Sequence, residues 1–218
     1  MKTRQEIKLQ AKTNMGKQRG TAIILILIAV AAGIVSSLFG LIPWIGKLIT
    51  IAISLGLVVY QVCVYSAFIL IYQNYIASID SVVALLQVNP LRKLGGMLWM
   101  ELWTFLWSLL FVIPGIVKAL SYSMTPYILA DCPNVTATDA LKLSMRITEG
   151  HKWELFVAGL SFIGWLLLSA LTLYILAVVH VGPYMATTFA GYYIELRNEA
   201  FSKGVVRPEE MGLTAVTN

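Results

Sequence analysis

The chain has 218 residues, of which 58% are hydrophobic and only 12% are charged, and its mean hydropathy is +0.78. A soluble domain carries about 25% charged residues, so this composition excludes an ordinary soluble protein and indicates a membrane protein. The net charge of +5 does not indicate nucleic-acid binding, because the basic N-terminal segment lacks interleaved aromatic or base-reading side chains.

The first 20 residues form a basic segment that holds six of the 16 lysines and arginines. Three basic residues recur every four positions: Arg4, Lys8 and Lys12. An apolar stripe lies beside them: Ile7, Ala11 and Met15. A helix with these two stripes lies flat on an anionic leaflet. The alternative is a disordered basic segment, which would orient the first span equally well. The following apolar run, residues 21–45, exceeds the roughly 7 to 15 residues of a signal peptide, so we predict no cleavage.

Six apolar segments are predicted to span the membrane, because a helix of about 20 apolar residues crosses a bilayer and satisfies its own backbone polar groups. They are residues 21–41, 48–76, 97–113, 115–130, 153–179 and 183–196. The third and fourth are short, so a re-entrant hairpin is the alternative for that pair. The fold class predicted is all-α, a polytopic transmembrane bundle of about six spans built as helical hairpins, with a single membrane domain over residues 21–198 and a tail over residues 199–218.

Two of the predicted connections contain the pattern Pro-x-x-x-Lys, in which proline ends a helix and lysine reaches the headgroups. A third, at residues 180–183, keeps the proline and lacks the lysine. These similarities suggest a repeated hairpin, or else a pattern on which all membrane hairpins converge. The proposed turn and anchor residues are Pro43, Lys47, Pro114, Gly115, Lys118 and Pro183.

Charge predicts the orientation. With six spans, 14 of the 16 basic residues lie on one side, and only Lys47 and Lys118 lie on the other. By the positive-inside rule both termini and the loops 77–96 and 131–152 are cytoplasmic. The expected partners are a lipid bilayer with anionic headgroups and, in addition, other membrane proteins; nucleic acid is not expected.

Two short helices are predicted in the cytoplasmic loops. Thr136 stands three residues before Asp139, a spacing typical of a helix N-terminus, and Gly150 is a natural stop. Residues 80–88 have a similar apolar pattern. We expect these amphipathic helices to rest on the membrane or against the bundle.

Groups able to carry chemistry are sparse. Glu101 is the only acidic residue more than two positions from an end of a predicted span, and its place near the predicted helix start favours a structural pairing with Arg92 or Lys93 over a functional role. The sequence contains no Gly-x-Ser-x-Gly nucleophile motif or phosphate-binding glycine loop. We therefore expect no enzyme activity, no cofactor and no metal site.

Hydroxyl side chains are crowded in the fourth and sixth predicted spans. They form a candidate polar seam: Tyr122, Tyr127, Tyr184, Thr187 and Tyr192. The seam either lines a path for a small solute or an amphiphile, or joins helices by hydrogen bonds where lipid supplies no hydrophobic driving force; we favour the second reading.

Several segments resemble the bacterial integral-membrane family catalogued as domain of unknown function 975. They are residues 106–124, 140–144, 150–153 and 160–165, together with 183–184 and 192–193. The resemblance implies a multi-pass protein of the bacterial cytoplasmic membrane that has no assigned activity and no catalytic residues to transfer. The expected function is a non-enzymatic scaffold, sensor or protective membrane factor. The alternative is a transporter or channel for a small solute or amphiphile along the polar seam.

Overall fold

A computed structural model describes residues 1–172 and 174–213, which contain helices and no β-strand. The α-helices are α1 (Arg4–Lys17), α2 (Arg19–Phe39), α3 (Ile45–Tyr72), α4 (Ile79–Gln87), α5 (Pro90–Leu110), α6 (Val112–Tyr122), α7 (Thr125–Asp131), α8 (Ala137–Ile147), α9 (Lys152–Leu160), α10 (Ile163–Leu171) and α11 (Gly182–Ser202). A π-helical turn (Ala177–Val181) precedes α11, and a 3-10 turn (Pro208–Met211) follows it. The all-α prediction is confirmed.

Among the residues described, three helical stretches are long and apolar enough to cross a membrane: Arg19–Phe39, Ile45–Tyr72 and Lys152–Leu171. They correspond to the first, second and fifth predicted spans. The third and sixth predicted spans lie in α5 and α11, which carry several charged residues, and the fourth is divided between α6 and α7. Three of the six predicted spans therefore correspond to helices that are long and apolar enough to cross a membrane.

Helix breaks differ from the predicted boundaries in two spans. The fourth span breaks between Tyr122 and Thr125, because Pro126 in the first turn of α7 has no backbone N–H with which to continue the preceding helix. The fifth span breaks between α9 and α10, and α10 ends at Leu171 rather than near residue 179.

The prediction of a third turn at residues 180–183 is wrong, because this segment is helical. The π-helical turn runs directly into α11, and Pro183 lies in the first turn of that helix. Pro183 has no N–H to donate to the preceding turn, so the helical segment continues past it with one backbone hydrogen bond fewer. Here proline lies within a continuous helical segment and does not end it.

The other two turns are tight, and a glycine permits a close approach in each. Residues 40–44 join α2 to α3, and a Cβ on Gly46 would lie 2.0 Å from the Phe39 carbonyl oxygen. Phe111 alone joins α5 to α6, and a Cβ on Gly115 would lie 2.8 Å from the Ser108 Cα. We call the part of the molecule around these two turns the hairpin end.

The opposite end, which we call the loop end, is formed by α1, α4, α7 and α8 with the C-terminal ends of α3 and α11. Most of the basic N-terminal segment is helical there, as α1, and the apolar stripe of α1 is buried inside the protein. The Asn14 side-chain amide donates to the Tyr72 carbonyl oxygen at 2.8 Å, and that of Gln18 donates to the Tyr75 carbonyl oxygen at 2.7 Å. Helix α1 thus caps the end of α3.

Both predicted loop helices are present as α4 and α8. The Thr136 hydroxyl accepts a hydrogen bond from the Asp139 backbone N–H at 3.2 Å, as the sequence spacing predicts. The apolar face of α8 is buried against the bundle, which is one of the two placements expected for it.

Candidate functional site

A groove with a volume of 380 Å³ lies between α2, α3, α7 and α11. Small side chains on the flanking helices, Ala29 and Ala186, leave room for it, and Ser123, in the break between α6 and α7, also lines it. Most of the lining is aliphatic or aromatic. The polar side chains that line it are Tyr60, Gln61, Tyr65, Ser123 and Tyr127.

These polar groups come mainly from the middle of α3. The Tyr60 hydroxyl donates to the Leu25 carbonyl oxygen at 2.8 Å, so it ties α3 to α2. Gln61 is exposed, which is unusual for an amide side chain in the middle of a candidate span. The rings of Tyr65 and Tyr127 are in contact, with 4.6 Å between their centroids.

A chain of contacts leads from the groove to the loop end. The Tyr127 ring stacks on that of Tyr193 at 5.8 Å, and the Tyr193 hydroxyl donates to Asp131 Oδ2 at 2.7 Å. Arg197 Nη1 donates to the same oxygen at 2.5 Å. The side chains of Asp131 and Arg197 are only 20% and 13% exposed, so this is a largely buried ion pair between α7 and α11. We call the five residues Tyr65, Tyr127, Tyr193, Asp131 and Arg197 the polar chain.

Arg92 and Lys93 hold the C-terminal ends of neighbouring helices. The Arg92 guanidinium donates to the Leu129 carbonyl oxygen at 2.6 Å and to the Val135 carbonyl oxygen at 2.5 Å. Lys93 is buried and donates to the Leu85 carbonyl oxygen. Arg92 thus binds the last turn of α7 and the loop after it, and Lys93 binds the last turn of α4.

The predicted pairing of Glu101 with Arg92 or Lys93 is wrong. Because α5 begins at Pro90 and not near residue 97, Glu101 lies in the middle of the helix, about 13 Å along the axis from Arg92. Its side chain is exposed.

The cysteine next to the ion pair is not an activated nucleophile. Burial, together with the carboxylate of Asp131, raises the pKa of the Cys132 thiol to about 12. A thiol must ionise to attack or to bind a metal, so Cys132 is unreactive at neutral pH. Across residues 1–172 and 174–213, no group of three or more His, Cys, Asp or Glu side chains is placed to hold a metal ion.

The members of the predicted polar seam lie in different surroundings. Tyr127 lines the groove, whereas Tyr192 lines a separate cavity beside α1 and α9. Tyr184 packs edge-on against Phe162, and the Thr187 hydroxyl donates to the Pro183 carbonyl oxygen within its own helix.

The last seam residue, Tyr122, lies beside an anchor lysine. The Lys118 ammonium is 5.9 Å from the Tyr122 ring centroid and 4.9 Å from that of Trp107, so this lysine makes a cation–π contact within its hairpin. Lys47 is exposed in the first turn of α3, directly after the turn that contains Pro43.

Sequence reasoning missed Gln61, Tyr65, Tyr193, Asp131 and Arg197. Asp131 and Arg197 fall just outside the predicted spans, and the local sequence indicates no partner for either. Tyr193 was noted beside Tyr192 but not included in the seam. Gln61 interrupts a long apolar helix, which is the signal that could have found the groove.

A family model now fits the chain. The model described as protein of unknown function (DUF975) matches residues 48–200, well over half of the sequence. The chain belongs to the DUF975 family. The match covers α3, α7 and the part of α11 that carries the polar chain, and it leaves out α1 and α2. No curated protein and no solved structure matches the chain.

Proposed function

We propose that this DUF975 protein is a non-enzymatic scaffold or sensor of the bacterial cytoplasmic membrane that holds an amphiphile in the groove between α2, α3, α7 and α11. Both termini are cytoplasmic in this proposal. The observation that carries it is the groove itself, whose walls are apolar and whose polar side chains are few and grouped.

The chemistry of the groove suits a ligand with an apolar body and one polar group. Its volume of 380 Å³ falls within the range of about 300 to 1,000 Å³ that is common for small-molecule sites. Aliphatic side chains from α2 and α11 would cover the apolar body. Gln61, Tyr65 and Tyr127 supply donors and acceptors for the polar group.

The polar chain supports a sensing role over simple storage. A ligand against Tyr127 would displace a ring that stacks on Tyr193, and Tyr193 shares an acceptor oxygen with Arg197. Through these contacts, filling the groove would alter the packing of α7 on α11 at the loop end.

Transport along the predicted polar seam has less support. A solute path needs its polar side chains on one continuous surface, and Tyr127, Tyr184 and Tyr192 lie in three different surroundings.

Filling the groove tests the proposal. The substitutions Ala29→Phe and Ala186→Phe would place a ring in the cavity, and Ala31→Phe, at an exposed position of α2, is the matched control. We expect native mass spectrometry of the purified full chain, with lipid extraction, to show a bound amphiphile in the original protein and in the control, and little of it in the groove variants. Equal retention in all four proteins would contradict the proposal.

The orientation has its own test. In a background with Cys63→Ala and Cys132→Ala, single cysteines are introduced by Lys47→Cys and Lys142→Cys, both at exposed positions. An impermeant thiol reagent added to intact cells should label the first variant and not the second, which should react only after the membrane is opened. Labelling of Lys142→Cys in intact cells would show that the orientation is opposite to the one proposed.

A further inference from the structure

A second cavity, of 390 Å³, lies where α1 meets α9 and α11. Lys2 and Arg4 line it from the α1 side, Trp153 and Glu154 from α9, and Tyr192 from α11. It is separate from the groove, shares none of its lining residues, and brings together two cations, an indole and a phenol.

The positive charge on this side of α1 is only partly compensated. Lys2 forms an ion pair with Glu195 at 2.8 Å. Within the part of the chain that the structure describes, Arg4 has no carboxylate within ion-pair distance, and it stands one helical turn before Lys8, a spacing at which like charges repel.

The positive charge of Lys8, on the same helix, is also without a nearby carboxylate in the described residues. Its ammonium donates to the Ser161 hydroxyl at 2.5 Å and lies 4.4 Å from the Phe162 ring centroid, so its contacts are neutral groups. Burial, and then the charge of Arg4, lower the pKa of Lys8. An anion in the cavity would relieve the repulsion between these two cations.

Tyr192 supplies an unused hydrogen-bond donor in the wall of the cavity. Its side chain is 1% exposed, and among residues 1–172 and 174–213 its hydroxyl has no hydrogen-bond partner. Buried polar groups are nearly always paired, so a hydroxyl of this kind is suited to a ligand that brings its own acceptor.

The cavity lies at the start of a candidate span. Trp153 is exposed in the first turn of α9, where the apolar stretch Lys152–Leu171 begins. Tryptophan is enriched at this level of a membrane, next to the headgroups. A ligand in the cavity would therefore sit where a lipid phosphate sits.

We propose that this cavity binds a phosphate group, with the Arg4 guanidinium and the Tyr192 hydroxyl as its donors and Lys2 as a further cation. The same chemistry is offered by the headgroup of an anionic phospholipid and by free phosphate. Glu154 also lines the cavity, and its negative charge opposes the anion. This inference does not depend on an amphiphile in the groove.

The test is a titration of the full chain, purified in an uncharged detergent, with short-chain phosphatidylglycerol and separately with inorganic phosphate. Arg4→Gln should weaken binding about tenfold, because it removes a charge-assisted contact. Tyr192→Phe should weaken it about three- to tenfold, while the melting temperature without ligand stays the same or rises, since only an unpartnered hydroxyl is lost. Glu154→Gln should strengthen binding.

Lys12→Gln is the matched control, because Lys12 is an exposed cation of the same helix that does not line the cavity. It should leave the affinity within about twofold of the original, as expected for a screened surface charge. Equal weakening by Arg4→Gln and Lys12→Gln would show a general surface attraction and overturn the proposal, as would unchanged affinity in Tyr192→Phe or no binding of either probe. Binding of phosphatidylglycerol alone identifies a lipid headgroup, and equal binding of inorganic phosphate identifies a soluble source.

Discussion

The loop end and the hairpin end of this protein are stabilised in different ways. At the loop end, α1 caps α3, Arg92 binds the end of α7, and Asp131 pairs with Arg197, all by hydrogen bonds between elements far apart in sequence. At the hairpin end, large apolar side chains of α2, α3, α5 and α6 are exposed, and the turns consist of a few residues.

This difference indicates which part of the molecule depends on lipid. Exposed apolar surface of this extent requires a covering, and at the hairpin end the covering expected is the acyl chains of a bilayer. The loop end contains its own core of buried side chains, joined by hydrogen bonds and an ion pair. Both proposed binding cavities border elements of the loop end, where helix packing can respond to a ligand.

Breaking the buried ion pair should have the largest effect. Asp131→Asn leaves Arg197 largely buried without its counter-charge, which costs about 3 to 5 kcal/mol. Asp139→Asn is the matched control, because Asp139 is exposed and its contact with Lys142 is 3.6 Å long; we expect a cost of about 0.5 kcal/mol or less. Thermal unfolding in detergent would measure both. Equal losses would mean that the pair does not stabilise the loop end.

Two leucines of one candidate span compare a buried position with an exposed one. Leu155 in α9 is 1% exposed, so Leu155→Ala removes a buried side chain and leaves a cavity. We expect it to lower the free energy of unfolding by about 2 to 5 kcal/mol. Leu167→Ala in α10 removes a side chain that is 70% exposed, and its cost should be within about 0.5 kcal/mol. The experiment is chemical unfolding in the same micelles. If Leu167→Ala were as costly, the exposed face of α10 would be packed against protein.

Substituting a glycine at the contact of α3 and α11 should have the next largest effect on stability. A Cβ on Gly191 would lie 2.3 Å from the buried Tyr72 ring, so Gly191→Ala forces the two helices apart and should cost about 1 to 3 kcal/mol. In α5, Gly95 has open space around it, and Gly95→Ala should stabilise the helix by about 0.5 to 1 kcal/mol. Melting temperatures that move in opposite directions would confirm the contact, and a parallel change would refute it.

The smallest expected effect is on the pH dependence of stability in acid. A hydrogen bond from Lys203 at 2.5 Å, helped by the nearby His151, lowers the pKa of Glu199 from 4.5 to about 2. A depressed carboxyl pKa stabilises the fold above pH 4.5, and this contribution is lost as the pH falls toward 2. Glu199→Gln should therefore lose less of its melting temperature between pH 5 and pH 3 than the original protein does.

Glu149→Gln serves as the control for that measurement, since Glu149 is an exposed carboxylate of the same surface. It should follow the original protein across the acid range. If Glu199→Gln does the same, the contact of Glu199 with Lys203 contributes nothing to folding at the loop end.

The sequence alone determined the features that depend on local pattern. An apolar stretch of sufficient length must be helical in lipid, which predicted α2, α3 and the α9–α10 stretch, and the Thr136 spacing predicted α8. Proline and glycine identified two hairpin turns. Each of these rests on residues within one or two turns of one another, so no distant contact was needed to infer it.

Only the tertiary structure decided the partners of the polar residues. Asp131 and Arg197 are separated by 66 positions, and Asn14 and Tyr72 by 58, so neither pairing has a signal in the local sequence. The same holds for Pro183, which lies within a continuous helical segment, and for the seam tyrosines, which lie in different surroundings. A hydrogen bond between two helices depends on where they cross, and hydrophobic periodicity does not determine the position of that crossing.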